Sequence, residues 1–320
     1  MKNKITVTGA NITFFAFSVA FIAFNILIVI PAILLYGTNA DRFALDYFIP
    51  ITVINEYVII LVPTFIYVLI KKLKFKEVFR LNNPGLLPCL VIVLLAIPAS
   101  HLAETANVIV MYLLSFIGDI PSSAASIPIP QDVTSLLISI FIIAVTPGIC
   151  EELLNRGVIM KAYENRGTMK AVVISAILFG IFHYSILNLA GPIVLGILIG
   201  YYVIKTNSIF AGMLAHFLNN AYSMVMLYFA RTQEMPKSVK VTEEDLAQSI
   251  LIGLVSAVLV FLLLRLFNIV TKDKGVVMKP SISRVRDDIV SVISHWPMIV
   301  VMCLYFFMTL LTVVSIVLGP

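Results

Sequence analysis

Apolar stretches of membrane-spanning length recur from one end of the chain to the other, separated by short polar segments. Their lengths predict about nine helical spans, at residues 12–36, 47–70, 86–117, 132–163, 168–184, 191–204, 208–229, 246–270 and 297–318. The third region is long for one crossing and contains Pro98, His101 and Glu104, which fits a tilted or kinked helix extending above the bilayer. Asp132 stands where a residue would cap the fourth helix. The Pro- and Ser-rich residues 118–130 read as a loop. The basic segment Lys71 to Arg80 fits either a short helix lying on a membrane surface or a solvated loop. No internal repeat or low-complexity segment interrupts the pattern. The expected fold is an all-α polytopic membrane helical bundle of about eight or nine transmembrane helices.

Positive charge sorts between alternate loops. Lys2 and Lys4, residues 71–80, 156–170, Lys205 and residues 272–286 fall on one side. Residues 37–46, 118–130, 185–190 and the balanced stretch 231–245 fall on the other. Positive loops stay in the cytoplasm, so a cytoplasmic N-terminus and, with nine spans, an external C-terminus are expected in a multi-pass plasma-membrane protein. The first apolar run is long enough to span and lacks a small-residue cleavage site, so no cleaved signal peptide is expected.

Composition agrees with a lipid solvent. Hydrophobic residues make up 60% of the 320 positions and charged residues 12%, with a mean hydropathy of +1.04. The net charge of +5 resides in the inter-span loops and does not indicate a nucleic-acid partner; the lipid bilayer is the expected one. Cys89, Cys150 and Cys303 lie in or beside apolar stretches without metal-ligand spacing, and read as small core residues.

Ionisable groups at membrane depth cost several kcal/mol unless paired, so each requires a reason. The densest group is Glu151-Glu152-Leu153-Leu154-Asn155-Arg156. Glu152 and Arg156, four residues apart with the acid first, have the favourable spacing for a helical ion pair. Glu151 points about 100° away and must face another helix. Two imidazoles are available: His183, near the far end of the fifth span, and His216, with Asn220 one turn on along the same face. At ~1.5 Å per residue, His183 lies roughly 20 Å from Lys170, His216 roughly 16 Å from Lys205 and Glu151 roughly 15 Å from Lys161. Three helices thus deliver a carboxylate and two imidazoles to similar depth.

Such a cluster can activate water, with the carboxylate as general base and His216 and Asn220 as donors to a tetrahedral oxyanion. The same Glu151, His183 and His216 also form a one-carboxylate, two-imidazole set of the kind that holds catalytic zinc, although the spacing is not that of an HExxH helix. The residues leave both open. Each imidazole also has a plain reading as an interhelical hydrogen bond, Glu152 with Arg156 as a structural pair, and Phe179 as packing. Glu56, His101, Glu104 and Arg265 are further polar residues in apolar spans; His101 and Glu104 share a face near a helix end. Cys150 has no base at helical spacing and is not expected to act as a nucleophile.

The order Glu151-Glu152-xxx-Arg156, Phe179-xxx-His183 and His216-xxx-Asn220 resembles the CAAX protease and bacteriocin-processing family, which includes the type II CAAX prenyl endopeptidases. The resemblance covers about residues 134–227. It implies a catalytic core at 131–230, between N-terminal helices with the basic segment at 1–130 and C-terminal helices at 231–320. It further implies an intramembrane endopeptidase in which Glu151 and His183 activate water, His216 and Asn220 form the oxyanion side, and Glu152, Arg156 and Phe179 support them. The family resemblance favours a glutamate-activated water without metal, with zinc on Glu151, His183 and His216 as the alternative. Asn155 departs from the aromatic residue commonly found before the arginine, a change expected in packing or pocket shape. The build resembles bacterial relatives, so the expected substrate is a peptide or membrane protein rather than a prenylated one. The competing reading is a non-catalytic immunity or scaffolding protein that binds a peptide or partner. A proton-relaying transporter fits less well, since no repeated half or matched broken helices are found.

Overall fold

A computed structural model describes residues 5–37, 40–121, 127–232, 238–281 and 284–319. Among these, nine long helices form the frame: α1 (Val7–Tyr36), α2 (Phe48–Ile70), α3 (Leu86–Leu114), α4 (Val133–Arg166), α5 (Thr168–Phe182), α6 (Ala190–Thr206), α7 (Ile209–Phe229), α8 (Glu243–Val270) and α9 (Trp296–Leu318). Each coincides with one expected span. Seven stretches pass as membrane spans on length and apolarity alone. Of the other two helices, α5 has only 15 residues and α7 carries His216, Asn219 and Asn220. The chain is an all-α polytopic membrane protein.

The third region is one continuous helix despite Pro98. At the start of α4, Asp132 accepts the Ser135 N–H at 2.7 Å, and its own N–H donates to Ser135 Oγ at 3.0 Å. This reciprocal cap satisfies two groups that a helix start leaves orphaned.

The loops sorted together by charge also meet in space. Ser208 Oγ donates to the Asn82 carbonyl at 2.5 Å, Asn82 Nδ2 to the Asn207 carbonyl at 2.8 Å, Val276 N–H to the Ile204 carbonyl at 3.1 Å and Lys279 Nζ to Asn165 at 2.8 Å. At the opposite end, Ile120–Pro121 pairs antiparallel with Ser238–Val239, and Ile120, Val241 and Ile316 share an apolar cluster. Alternate crossings are therefore built into the packing, and α3 counts as one of them.

The basic segment is exposed over most of its length and holds one short helix, and it departs from expectation only at its far end. Only Phe75–Val78 is helical, and the chain then turns into the protein, with Val78, Phe79 and Arg80 buried. Arg80 ion-pairs with Glu164 at the end of α4. A buried carboxylate supplied by a distant helix drew this arginine inward, and the charge run itself carried no sign of it.

Two apolar clusters make the core. One joins α1, α2, α4, α5 and α9 through residues such as Phe14, Phe17, Leu154, Tyr163 and Phe182. The other joins α3, α6, α7 and α8 through Ile92, Leu95, Ile199, Tyr202 and Phe267. Helices α4 and α7 bring the halves together. A Cβ on Gly148 of α4 would stand 3.4 Å from the Met213 carbonyl and Phe217 nitrogen of α7, so a small residue sets how closely the two helices approach.

Helices α2 and α4 are not uniform α-helix. Residues Ile54–Leu61, Phe141–Val145 and Leu153–Ile159 form widened turns closed by bonds five residues apart, as Val62 N–H to Tyr57, Thr146 N–H to Phe141 and Met160 N–H to Asn155. Such turns are rare, shift the facing of the residues around them, and concentrate at functional sites. Two of the three flank Glu151.

Candidate active site

Glu151 and Glu152 end the α-helical stretch Thr146–Glu152 of α4 and are 7% and 0% exposed. Glu152 Oε1 accepts from Arg156 Nη1 at 2.6 Å, the ion pair expected from their spacing. Arg156 is wholly buried, donates from Nη2 to the Gly196 carbonyl of α6 at 3.2 Å, and lies 4.6 Å above the Phe179 ring of α5. One guanidinium thereby holds α4, α5 and α6 at a common point. A carbonyl and an aromatic face suit its planar, weakly hydrated cation better than an ammonium.

Glu152 has a second partner. His216 Nδ1 of α7 donates to Glu152 Oε1 at 3.0 Å, which fixes the ring and leaves Nε2 facing Glu151 Oε2 at 3.8 Å. That gap is too long for a direct hydrogen bond, yet a water about 2.8 Å from each atom would fit beside it. Room for the Glu152 carboxylate comes from Gly212, where a Cβ would stand 2.8 Å from Glu152 Oε2.

His183 caps the end of α5. Its Nδ1 donates to the Phe179 carbonyl at 2.8 Å, freeing Nε2. The Phe179 ring meets His183 edge-on at 5.0 Å and His216 at 5.7 Å between centroids, so this ring spaces both imidazoles and the guanidinium. His183 makes no ion pair with Glu151 among the described residues; it joins the cluster through Phe179.

Asn220 Nδ2 donates to the Ile143 carbonyl at 2.9 Å. The reason is local: Pro147 has no N–H for the carbonyl four residues earlier, and Asn220 fills that vacancy from α7. Asn220 Oδ1 accepts from Asn219 Nδ2 at 3.0 Å, and Asn219 Oδ1 accepts from Ser100 Oγ of α3 at 2.8 Å. This relay fixes the amide and leaves the second N–H of Asn220 free to meet a ligand. Ser100→Ala is expected to cost about 0.5–1.5 kcal/mol of stability, the size of one neutral hydrogen bond, as read by thermal unfolding in detergent.

Three residues escaped the sequence reading as parts of this site. Ser100 and Asn219 carry no motif, and only the neighbouring Asn220 drew attention to that turn. Glu56, marked only as a polar residue in a span, is 7% exposed and brings its carboxyl from α2 within hydrogen-bonding reach of Glu151. His101 and Glu104 lie elsewhere: His101 Nε2 meets Tyr222 OH at 3.0 Å, and its Nδ1 meets Glu104 at 3.4 Å on a side chain mostly exposed.

Glu151, His183 and His216 are not gathered as a zinc site. Among the described residues no three His, Cys, Asp or Glu side chains come together in a group that could hold a metal. Both imidazoles bond to protein acceptors through Nδ1 and leave Nε2 unengaged, and His216 is the one that ion-pair distances bring near Glu151 among the described residues.

A buried carboxylate–imidazole–guanidinium cluster inside a helical membrane bundle defines a class of intramembrane site, and the comparison with known families agrees. Residues 133–222 match the family model of type II CAAX prenyl endopeptidase Rce1-like proteins. The match contains all three motifs and bears out the resemblance to the CAAX protease family. It supports a protease at the level of the family. Comparison with the curated proteins and with the solved structures gave no match.

Proposed function

We propose that the protein is an intramembrane endopeptidase that hydrolyses peptide bonds with a water activated by Glu151. The observation that carries this reading is the Arg156–Glu152–His216 chain ending 3.8 Å from an otherwise unpaired Glu151 oxygen. Glu151 takes a proton from water as its oxygen attacks the carbonyl carbon. His183 holds that water through its free Nε2. On the oxyanion side stand Asn220 Nδ2, as a hydrogen-bond donor, and the His216 ring, which Glu152 holds at Nδ1. The proton on Glu151 then passes to the leaving nitrogen as the C–N bond breaks, which restores the carboxylate and releases an acid and an amine.

The substrate is a peptide or membrane protein with an apolar segment. Supporting this is a cavity of about 350 Å³ outside the catalytic cluster, lined mostly by apolar residues such as Phe48, Ile49 and Ile142, with Asp46, Ser135 and Ser139 among them. Its wall includes the residue whose carbonyl holds Asn220. The charge of the loops supports a plasma-membrane orientation with the N-terminus in the cytoplasm.

The water is activated without metal. Protein in vesicles treated with EDTA or 1,10-phenanthroline is expected to retain its turnover. Loss of activity on chelation, with recovery on added zinc, would return the site to Lewis-acid chemistry.

A further inference from the structure

Glu56 lies in the widened turn of α2, and no ion pair among the described residues involves it. Its Oε2 meets no donor in the protein, and neither does Glu151 Oε2. The two carboxyls nevertheless face each other within hydrogen-bonding reach. The contact is built: Tyr57 OH reaches Thr146 Oγ1 at 3.4 Å, and the turn packs on the α4 stretch that carries Glu151. Two carboxylates can only offer acceptors to each other, whereas one proton between them makes a short, charge-assisted O–H···O bond. Arg156, the nearby guanidinium, is already matched by Glu152, so an ionised Glu56 beside the Glu151 carboxylate would add a further unmatched negative charge at this depth.

We propose that Glu56 is a positioning residue of the site: as a neutral carboxylic acid it donates a hydrogen bond to the Glu151 carboxylate and aims it at the water. This rests on the reading of Glu151 as the base. Glu56 keeps its proton throughout the cycle and touches no reacting atom. Its bond holds a carboxylate that would otherwise turn freely about its side-chain torsions, and keeps Oε2 toward His216 Nε2. The site therefore reaches beyond residues 133–222 to α2, and the widened turn is the device that brings Glu56 into line.

The test compares Glu56→Gln and Glu56→Leu with wild type in vesicles, using peptides that wild type cleaves and Glu151→Gln does not. The Gln amide can donate the same bond, so Glu56→Gln is expected to keep its turnover. Glu56→Leu is expected to lose about 10–100-fold in kcat at unchanged KM, the size of one hydrogen bond to a charged group. Full activity in the Leu variant overturns the proposal, and so does a Gln variant as slow as the Leu one. A second measurement needs no turnover. The infrared spectrum of wild type at neutral pH should contain the carbonyl stretch of a protonated carboxylic acid that Glu56→Gln removes. An identical spectrum in the two proteins overturns the proposal. Wild type and Glu151→Gln that are equally inert would instead sink the protease reading, and the infrared result would still decide the contact.

Discussion

Glu151→Gln is expected to lower peptide-bond hydrolysis about 10²–10⁴-fold, the usual contribution of a positioned general base, while the protein still folds and accumulates. The two halves of this expectation come from different features. Loss of rate follows because an amide cannot take the water's proton. Retained folding follows because Glu151 is held loosely: its ion-pair contact among the described residues is the long 3.8 Å approach to His216 Nε2, and its Oε2 has no hydrogen-bond donor. Glutamine preserves the shape and can still bond to Glu56. Rate and accumulation, read together as initial velocity and as monodisperse protein in detergent, separate a chemical role from a packing one.

The neighbouring acid predicts the opposite balance. Arg156→Met strands the Glu152 carboxylate in a wholly buried position, where breaking one partner of an ion pair costs about 3–5 kcal/mol. It also removes the bond to the Gly196 carbonyl and the cation over Phe179, which tie α4 to α6 and α5. The variant is expected to accumulate poorly and to melt at lower temperature in detergent. The double variant Glu152→Gln, Arg156→Met, which removes both members of the buried pair, should recover much of the stability. It should not recover turnover, because His216 loses the carboxylate that orients its ring. Thermal unfolding and kinetics of the three proteins would show whether the pair has this double duty.

Much of this was legible in the chain because lipid makes strong demands on sequence. Each apolar run became one helix, and the loops sorted by charge are those that hydrogen-bond to one another. The spacing of Glu152 and Arg156 gave their ion pair, and counting rise per residue brought Glu151 and His216 to a shared depth. Other features arise only where helices meet. No spacing rule reveals that His216 turns Nδ1 to Glu152, because that depends on how closely Gly148 and Gly212 let α4 and α7 approach. The widened turns shift facing by a fraction of a turn, which a regular helical count does not include, and so Glu56 was not expected beside Glu151. Pro147 was readable as a proline in a span, but not that its missing N–H would be answered by Asn220. The inward path of Arg80 likewise depends on Glu164, a residue 84 positions away.

The most direct test of the central claim compares membrane and secreted peptides from cells that carry wild type or Glu151→Gln at matched protein levels. Hydrolysis by Glu151 should yield a peptide or membrane-protein fragment that is produced only with wild type, with its new terminus marking the cleaved bond. Identical peptide profiles, together with a cellular phenotype that persists in Glu151→Gln, would contradict it and leave a protein that binds its partner without cutting it.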